Sequence, residues 1–460
     1  MPESEAGVRS AHGRNPLLPL DIHMPDAEAR VMPDGRLYLY GSLDERDDRY
    51  CSGRYRVAST ADLVEWTVHP VSFTTDDVPW AGVVPTSGRS FLDGVTSYDE
   101  LPEYARAMLP PGATDVPFEE FAAGVRAATA QRQPTEPLLY APDAIERDGR
   151  FFLYFCLSDD SEGVAVADSP TGPFTDARRL PISQIDPAVF VDDDGQAYLY
   201  WGQFSANVAR LNDDMMSIDE SSIVTGLITE SEHHFHEGCS MRKRDGVYYL
   251  VFADTSRGKP TCLGYATSTS PLGPFEYRGV IIDNADCDPE SWNNHGSIEC
   301  VNGQWYVFYH RSSRGSSSMR RVCAEPIRFL ADGSIPEVPM TSQGAGASFG
   351  PGDTIAGGSA CALAGNARVT PVPDGEAVVG FADGDAARFR YFESETAVRT
   401  VHVGTRGSAR LLILADGVPL AEVDAGSGPT EVDLAPGRYE ITVEARDPRD
   451  LELLGLRFER

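Results

Sequence analysis

Positive charge is scarce in this 460-residue chain: 39 lysines and arginines stand against 70 aspartates and glutamates, a formal net charge of −31. Such a surface repels phosphate backbones and anionic membranes, which excludes nucleic acid and membrane partners and leaves a neutral ligand as the expectation. Cysteine is sparse as well. The eight residues Cys51, Cys156, Cys239, Cys262, Cys287, Cys300, Cys323 and Cys361 form no CxxC pair and no dense framework, so reduced thiols are expected. No apolar run approaches a membrane span, and Met1 to Leu20 has no apolar core of signal-peptide length, so the expected location is cytoplasmic. His233, His234 and His236 crowd Glu237 without the HExxH pattern of zinc hydrolases, and read as a pocket rim.

What is present is a repeat. Five times a turn dipeptide precedes a run of β-forming aromatic and aliphatic residues: Asp34-Gly35, Asp148-Gly149, Asp194-Gly195, Asp245-Gly246 and Asn302-Gly303. Asp-Gly and Asn-Gly supply the positive φ angles of two-residue hairpin turns, and runs such as Phe151-Phe152-Leu153-Tyr154 suit a largely buried strand. Five hairpins in series predict an all-β fold, a five-bladed β-propeller. Counting back nine residues from the glycine reaches Asp26, Asp186 and Glu237 in three copies, while Asp143 and His295 lie nearby in the other two. If each preceding strand is the innermost of its blade, these residues ring one pocket at the mouth of the central channel.

The hairpins place the propeller at 14–340. The last four glycines are roughly 50 residues apart, about one four-stranded blade each, but the first interval is more than twice as long. The surplus, 74–137, is an insert whose stretch Phe118 to Ala128 suits a short amphipathic helix; topology sets it over the acid-bearing face as a candidate lid. Residues Thr341 to Gly352 read as a glycine-rich linker. Beyond it, 353–460 reads as a small β-sandwich with strands at Arg410–Leu414, Glu431–Leu434, Tyr439–Val443 and Leu454–Phe458.

Several stretches carry a resemblance: Asn15-Pro16-Leu17-Leu18 with Pro25-Asp26, Tyr140-Ala141-Pro142-Asp143, Ile185-Asp186-Pro187-Ala188, Glu237-Gly238 and Asn294-His295-Gly296-Ser297. In this order they resemble the five blades of glycoside hydrolase family 43. The resemblance implies an inverting glycosidase acting on arabinofuranosyl or xylosyl linkages, with Asp26 as general base, Glu237 as general acid and Asp186 tuning and orienting Glu237. Inversion needs that division of labour: one carboxylate activates water, and a carboxylic acid about 6.5–9.5 Å away protonates the leaving oxygen. Ala27 after Asp26 and Gly238-Cys239 after Glu237 depart from the family pattern, with Cys239 placed to narrow the pocket.

Candidate sugar contacts are Asp143 and Arg321 at the rim and Tyr140, Trp201, Phe235 and Trp292 as stacking surfaces. His295 has two readings: an axial group facing a water-coordinated calcium, as the resemblance implies, or a buried structural histidine. No other cofactor is called for. The C-terminal region resembles carbohydrate-binding module family 6, yet no tryptophan follows Trp305, so a structural domain is expected there. The expected activity is exo-hydrolysis of terminal α-L-arabinofuranosyl or β-D-xylosyl units from oligosaccharides. The alternatives are an endo-acting arabinanase or galactan-directed enzyme of the same fold, or a sugar-binding propeller without catalysis.

Overall fold

The computed structural model describes residues 8–11, 13–82, 92, 94–101, 106, 109, 112–131 and 136–460. Every run that follows a turn dipeptide is a strand. β1 (Val8–Ala11) adds to the outer edge of blade I, which is β2 (Glu28–Val31), β3 (Leu37–Gly41), β4 (Arg54–Thr60) and β5 (Glu65–Thr74). Blade II is β6 (Asp143–Arg147), β7 (Arg150–Cys156), β8 (Ser161–Ala167) and β9 (Thr175–Ser183). Blade III comprises β10 (Ala188–Val191), β11 (Ala197–Trp201), β12 (Ser205–Leu211) and β13 (Ile218–Thr229). Blade IV comprises β14 (Phe235–Arg244), β15 (Val247–Asp254), β16 (Cys262–Ser268) and β17 (Glu276–Asp283). Blade V has three strands, β18 (Ser297–Val301), β19 (Gln304–Ser313) and β20 (Ser316–Ile327). The N-terminal segment bonds to β20: Leu17 N–H donates to the Val322 carbonyl at 3.0 Å, and the Asn15 side chain both donates to and accepts from Ala324. This closes the ring.

The second strand of each blade is buried on both faces because a neighbouring blade covers each. Alternate residues feed alternate cores. Tyr38 and Tyr40 pack with Leu153 and Phe155 between blades I and II, and Tyr154 with Leu199 and Trp201 between II and III. Tyr198 and Tyr200 pack with Leu250 and Phe252 between III and IV. This explains why these strands read as continuous apolar runs rather than alternating ones.

The first strands neighbour one another in a closed ring: β2, β6, β10, β14, β18 and back to β2. Their registers set levels down the axis. Glu28, Asp143, Ala188, Ser240 and Ser297 stand opposite Tyr40, Tyr154, Tyr200, Val251 and Phe308, each five residues past its hairpin glycine, and so share one level. Side chains repeat every two residues along a strand. The level above therefore holds Asp26, Ala141, Asp186 and His295, joined by Glu237, which stands opposite Ala253. The level below holds Arg30, Ile145, Phe190, Arg242 and Glu299, which line a second cavity at the opposite end of the channel.

Only three turns are the two-residue type expected. Asp148-Gly149, Asp245-Gly246 and Asn302-Gly303 have two successive positive φ angles, whereas in blades I and III only Gly35 and Gly195 do, in longer loops. The insert contains α1 (Phe118–Gln131), three residues longer than expected, over a small core of Leu92, Leu101 and Ala122.

Beyond the propeller nine strands form one hydrogen-bonded sheet that curls over a single core including Val401, Ile413, Val443 and Phe458. The two strands expected at Tyr439–Val443 and Leu454–Phe458 are one, Gly437–Glu459, paired along its length with Val398–Ala415. Register shifts around Ser408 and positive φ at Asp447 and Asp450 bend the ribbon instead of turning it back. The expected linker is pinned down: Ser342 and Gln343 N–H donate to the Arg390 carbonyl, and Phe349 exchanges bonds with Tyr391 and Glu393. All eight cysteines are free, and among the described residues no helix is long and apolar enough to cross a membrane.

Candidate active site

The upper axial level opens into a cavity of about 230 Å³ lined by Asp26, Ala141, Asp186, Glu237 and His295, with Tyr50, Tyr140, Trp292 and Arg320 around them. Asp26 and Asp186 each precede their strand by two residues in the left-handed region, with φ of 57° and 61°. Aspartate tolerates this conformation better than most residues, and the kink turns the carboxyl into the channel. Glu237 reaches the same level by another route. A bulge at Gly238-Cys239 inserts one residue below it, with Gly238 at φ 75°. A β-carbon on Gly238 would lie 2.9 Å from the His295 ring, so both conformation and space demand glycine. Cys239 points away, into the core between blades III and IV, and does not narrow the pocket.

Asp26 is held by charge. Arg320 Nη1 donates to its Oδ1 at 2.8 Å, while Nε and Nη2 donate to Asp44 at 2.9 and 3.0 Å. His310 Nδ1 lies 3.5 Å from both the Asp26 backbone nitrogen and Oδ1, and its Nε2 lies 2.9 Å from the Asn293 carbonyl. Burial alone would raise the Asp26 pKa, but Arg320, His295, His310 and the Ser42 hydroxyl outweigh it and hold the carboxyl below its ordinary value. Asp186 is the opposite case: burial, then repulsion from Glu237 and Asp26, raises its pKa well above the carboxylate range. His295 Nδ1 stands 3.9 Å from Asp26 and 3.7 Å from Asp186, and burial lowers its pKa against the pull of Asp26 and Glu237. Glu237 is the most open of the three acids; Gln203 Nε2 donates to its Oε2 at 2.8 Å, and Asn293 Nδ2 lies 3.5 Å from Oε1.

Four candidates lie elsewhere. Asp143 sits one level deeper than the other ring residues, 1% exposed, where Arg30 and the Val189 N–H donate to it; Ala141 takes its place in the ring. Arg321 points away from the cavity and pairs with Glu376 of the C-terminal sheet. Neighbouring residues on a strand face opposite sides, so Arg320 is the one that enters. Trp201 and Phe235 are buried in the inter-blade cores, whereas Tyr140 and Trp292 do line the cavity. Arg320, His310, Gln203, Asn293 and Tyr50 carry no repeat signal, because they come from second and third strands and from loops. Among the described residues no three His, Cys, Asp or Glu side chains converge as a metal site. His295 offers imidazole nitrogen directed at two carboxylates, which does not fit a protein-ligated calcium, a cation that takes six to eight oxygens.

Residues 118–335 match the model of glycosyl hydrolases family 43. A xylosidase/arabinosidase from Thermoclostridium stercorarium is 31% identical over 377 residues, covering 72% of this chain and 67% of its own length. Xylosidase/arabinosidase 43A of Humicola insolens is 35% identical over 377 residues, covering 68% and 96%. The chain belongs to glycoside hydrolase family 43. The fold agrees: this family 43 enzyme superposes on a family 43 β-xylosidase/α-arabinofuranosidase from a compost microbial metagenome, solved with xylotriose, with a TM-score of 0.53 and 28% identity over 72% of this chain and 98% of that one. Hydrolysis by a family 43 glycoside hydrolase needs no cofactor, since paired carboxyl groups supply both proton transfers.

Proposed function

We propose that this glycoside hydrolase is an inverting exo-glycosidase that removes terminal α-L-arabinofuranosyl or β-D-xylosyl units from plant-type oligosaccharides. The observation that carries the reading is the sorting of three carboxyls on one axial level. Asp26 is held ionised by Arg320, and Asp186 is too buried and too close to like charge to ionise readily beside it. Asp186, beside Glu237, therefore keeps a proton that Asp26 does not, which sorts the buried acids into a base and a proton store. Asp26 takes a proton from water as its oxygen attacks the anomeric carbon; Glu237, the acid most open to the cavity, protonates the departing oxygen. Asp186 is the positioning acid beside Glu237.

The relatives bearing xylosidase and arabinosidase names support the sugar class. The cavity volume supports exo action, because about 230 Å³ holds roughly eight waters, the scale of one pentosyl unit. The insert stands beside it, packing on Phe204 next to Gln203. An axial calcium belongs to the reading only as an ion held through water beside His295, and no step depends on it. Asp26→Asn and Glu237→Gln, assayed on a panel of aryl α-L-arabinofuranosides, β-D-xylosides and β-D-galactosides, test the assignment. Each change is expected to lower kcat at least ~10²-fold on the preferred pentoside. Undiminished hydrolysis by either variant contradicts it.

A further inference from the structure

Gln203 and Phe204, in the loop after β11, join three parts of the chain that are distant in sequence. Gln203 lines the cavity and donates from Nε2 to Glu237 Oε2 at 2.8 Å. Its own backbone N–H and Asn207 Nδ2 both donate to Gln184 Oε1, at 3.3 and 3.0 Å. Gln184 is two residues before Asp186, so one side chain ties the loop to the segment carrying the positioning acid. Phe204 is fixed at both backbone ends: its N–H donates to the His236 carbonyl at 2.6 Å and its carbonyl accepts from Glu230 N–H at 3.0 Å. Its ring meets the His236 ring edge-on at 5.3 Å and also packs against the insert core of Leu92, Leu101 and Ala122, which Tyr98, Phe118 and Phe121 flank.

We propose that the insert between blades I and II positions the general acid of blade IV, acting through Phe204 and Gln203 of blade III. The inference rests on Glu237 being the general acid. Both oxygens face an amide donor, Gln203 Nε2 at 2.8 Å on Oε2 and Asn293 Nδ2 at 3.5 Å from Oε1; the closer bond favours negative charge on Oε2, so the transferable proton is assigned to Oε1. In the reaction the Oε1–H bond breaks as the glycosidic C–O bond breaks. The bonding pair of that C–O bond goes to the leaving oxygen, which receives the proton, while water adds to the anomeric carbon and gives its proton to Asp26. Glu237 ends as a carboxylate, and the Gln203 bond strengthens as charge develops on Oε2. The insert holds Phe204, Phe204 holds the loop, and the loop holds the carboxyl plane. Gln203 and Phe204 are positioning residues.

Leaving-group dependence tests this, because a nitrophenolate that departs unaided needs no acid while an alkoxide does. Rates are measured on a 2,4-dinitrophenyl and a methyl glycoside of the same pentose for the native enzyme, Gln203→Leu, Phe204→Ala and Glu237→Gln. In Gln203→Leu and Phe204→Ala the ratio of methyl to dinitrophenyl kcat is expected to fall about 10-fold or more, a fraction of a general acid's whole effect. A loss shared equally by both substrates means a structural role and overturns the proposal, as does an unchanged ratio in either variant. Dinitrophenyl turnover reports folding in each case. If Glu237→Gln itself leaves the ratio unchanged, the acid assignment fails, an outcome distinct from failure of the link from the insert through Phe204 and Gln203.

Discussion

Arg320 shows how much of the site rests on one side chain. It is buried between Asp26 and Asp44, donates to both, and stacks over Tyr50 at 4.7 Å. Removing it leaves two buried carboxylates uncompensated, a loss of about 3–5 kcal/mol by analogy with broken buried ion pairs. Arg320→Met should lower stability to that extent in urea unfolding. In the surviving enzyme the Asp26 pKa rises, so the acidic limb of kcat/KM should move to higher pH; a limb that stays in place separates Arg320 from the base. This residue was not legible in the sequence. Arg320 and Arg321 are chemically identical neighbours, and only the phase of β20 decides which faces the channel. Trp201 and Phe235 were equally ambiguous, because blade cores and sugar platforms draw on the same aromatic residues.

The hairpins were legible as elements because their turn chemistry and buried strands are local properties. The shared nine-residue offset was legible for a partly accidental reason. In blades I and III a long loop separates strand from glycine; in blade IV the turn is short but the Gly238-Cys239 bulge restores the count. Asp143 lacks both the long loop and the bulge, and by register stands one level below. Bulges leave no composition signature, so the sequence could not separate the two layers. The bulge carries its own prediction. Gly238→Ala forces a left-handed alanine against the His295 ring, and kcat should fall at least ~10-fold; melting temperature should drop by only a few degrees for a cost of about 1–2 kcal/mol. Wild-type kcat in a stably folded Gly238→Ala enzyme counts against the bulge as the device that sets Glu237.

Over the whole molecule, buried ionisable groups set the response to pH. Burial and the nearby arginines Arg321 and Arg314 depress His23 to about 3, and burial with Arg320 takes His310 to about 3. Burial raises Glu28 to about 7 against the pull of Arg242, and raises Glu325 to about 7 against Arg311. Between about pH 6.5 and 4.5 the unfolded chain binds protons on the two histidines while the folded chain binds them on the two glutamates, so these four nearly cancel. His295 and His69, lowered by burial, act with His23 and His310, but Asp186, Glu162, Asp44, Asp254 and Asp288, all raised by burial, outnumber them and tip the balance toward the folded state. Below about pH 4.5 unfolded glutamates are protonated too, leaving the histidines to destabilise the fold by about 1.4 kcal/mol per pH unit each. Denaturant midpoints should thus hold or rise from pH 7 to 4.5 and then fall. A monotonic decline from pH 7 contradicts this balance.

All of these levels converge on the claim that Asp26 and Glu237 act from opposite sides of one anomeric carbon, with water entering as the leaving oxygen departs. Proton NMR of the first product formed from the preferred aryl pentoside, recorded before mutarotation, reads that geometry directly. A product of inverted anomeric configuration is expected. A product that first appears with retained configuration would contradict it, because a covalent intermediate would then have to form on a carboxylate assigned here to water or to proton transfer.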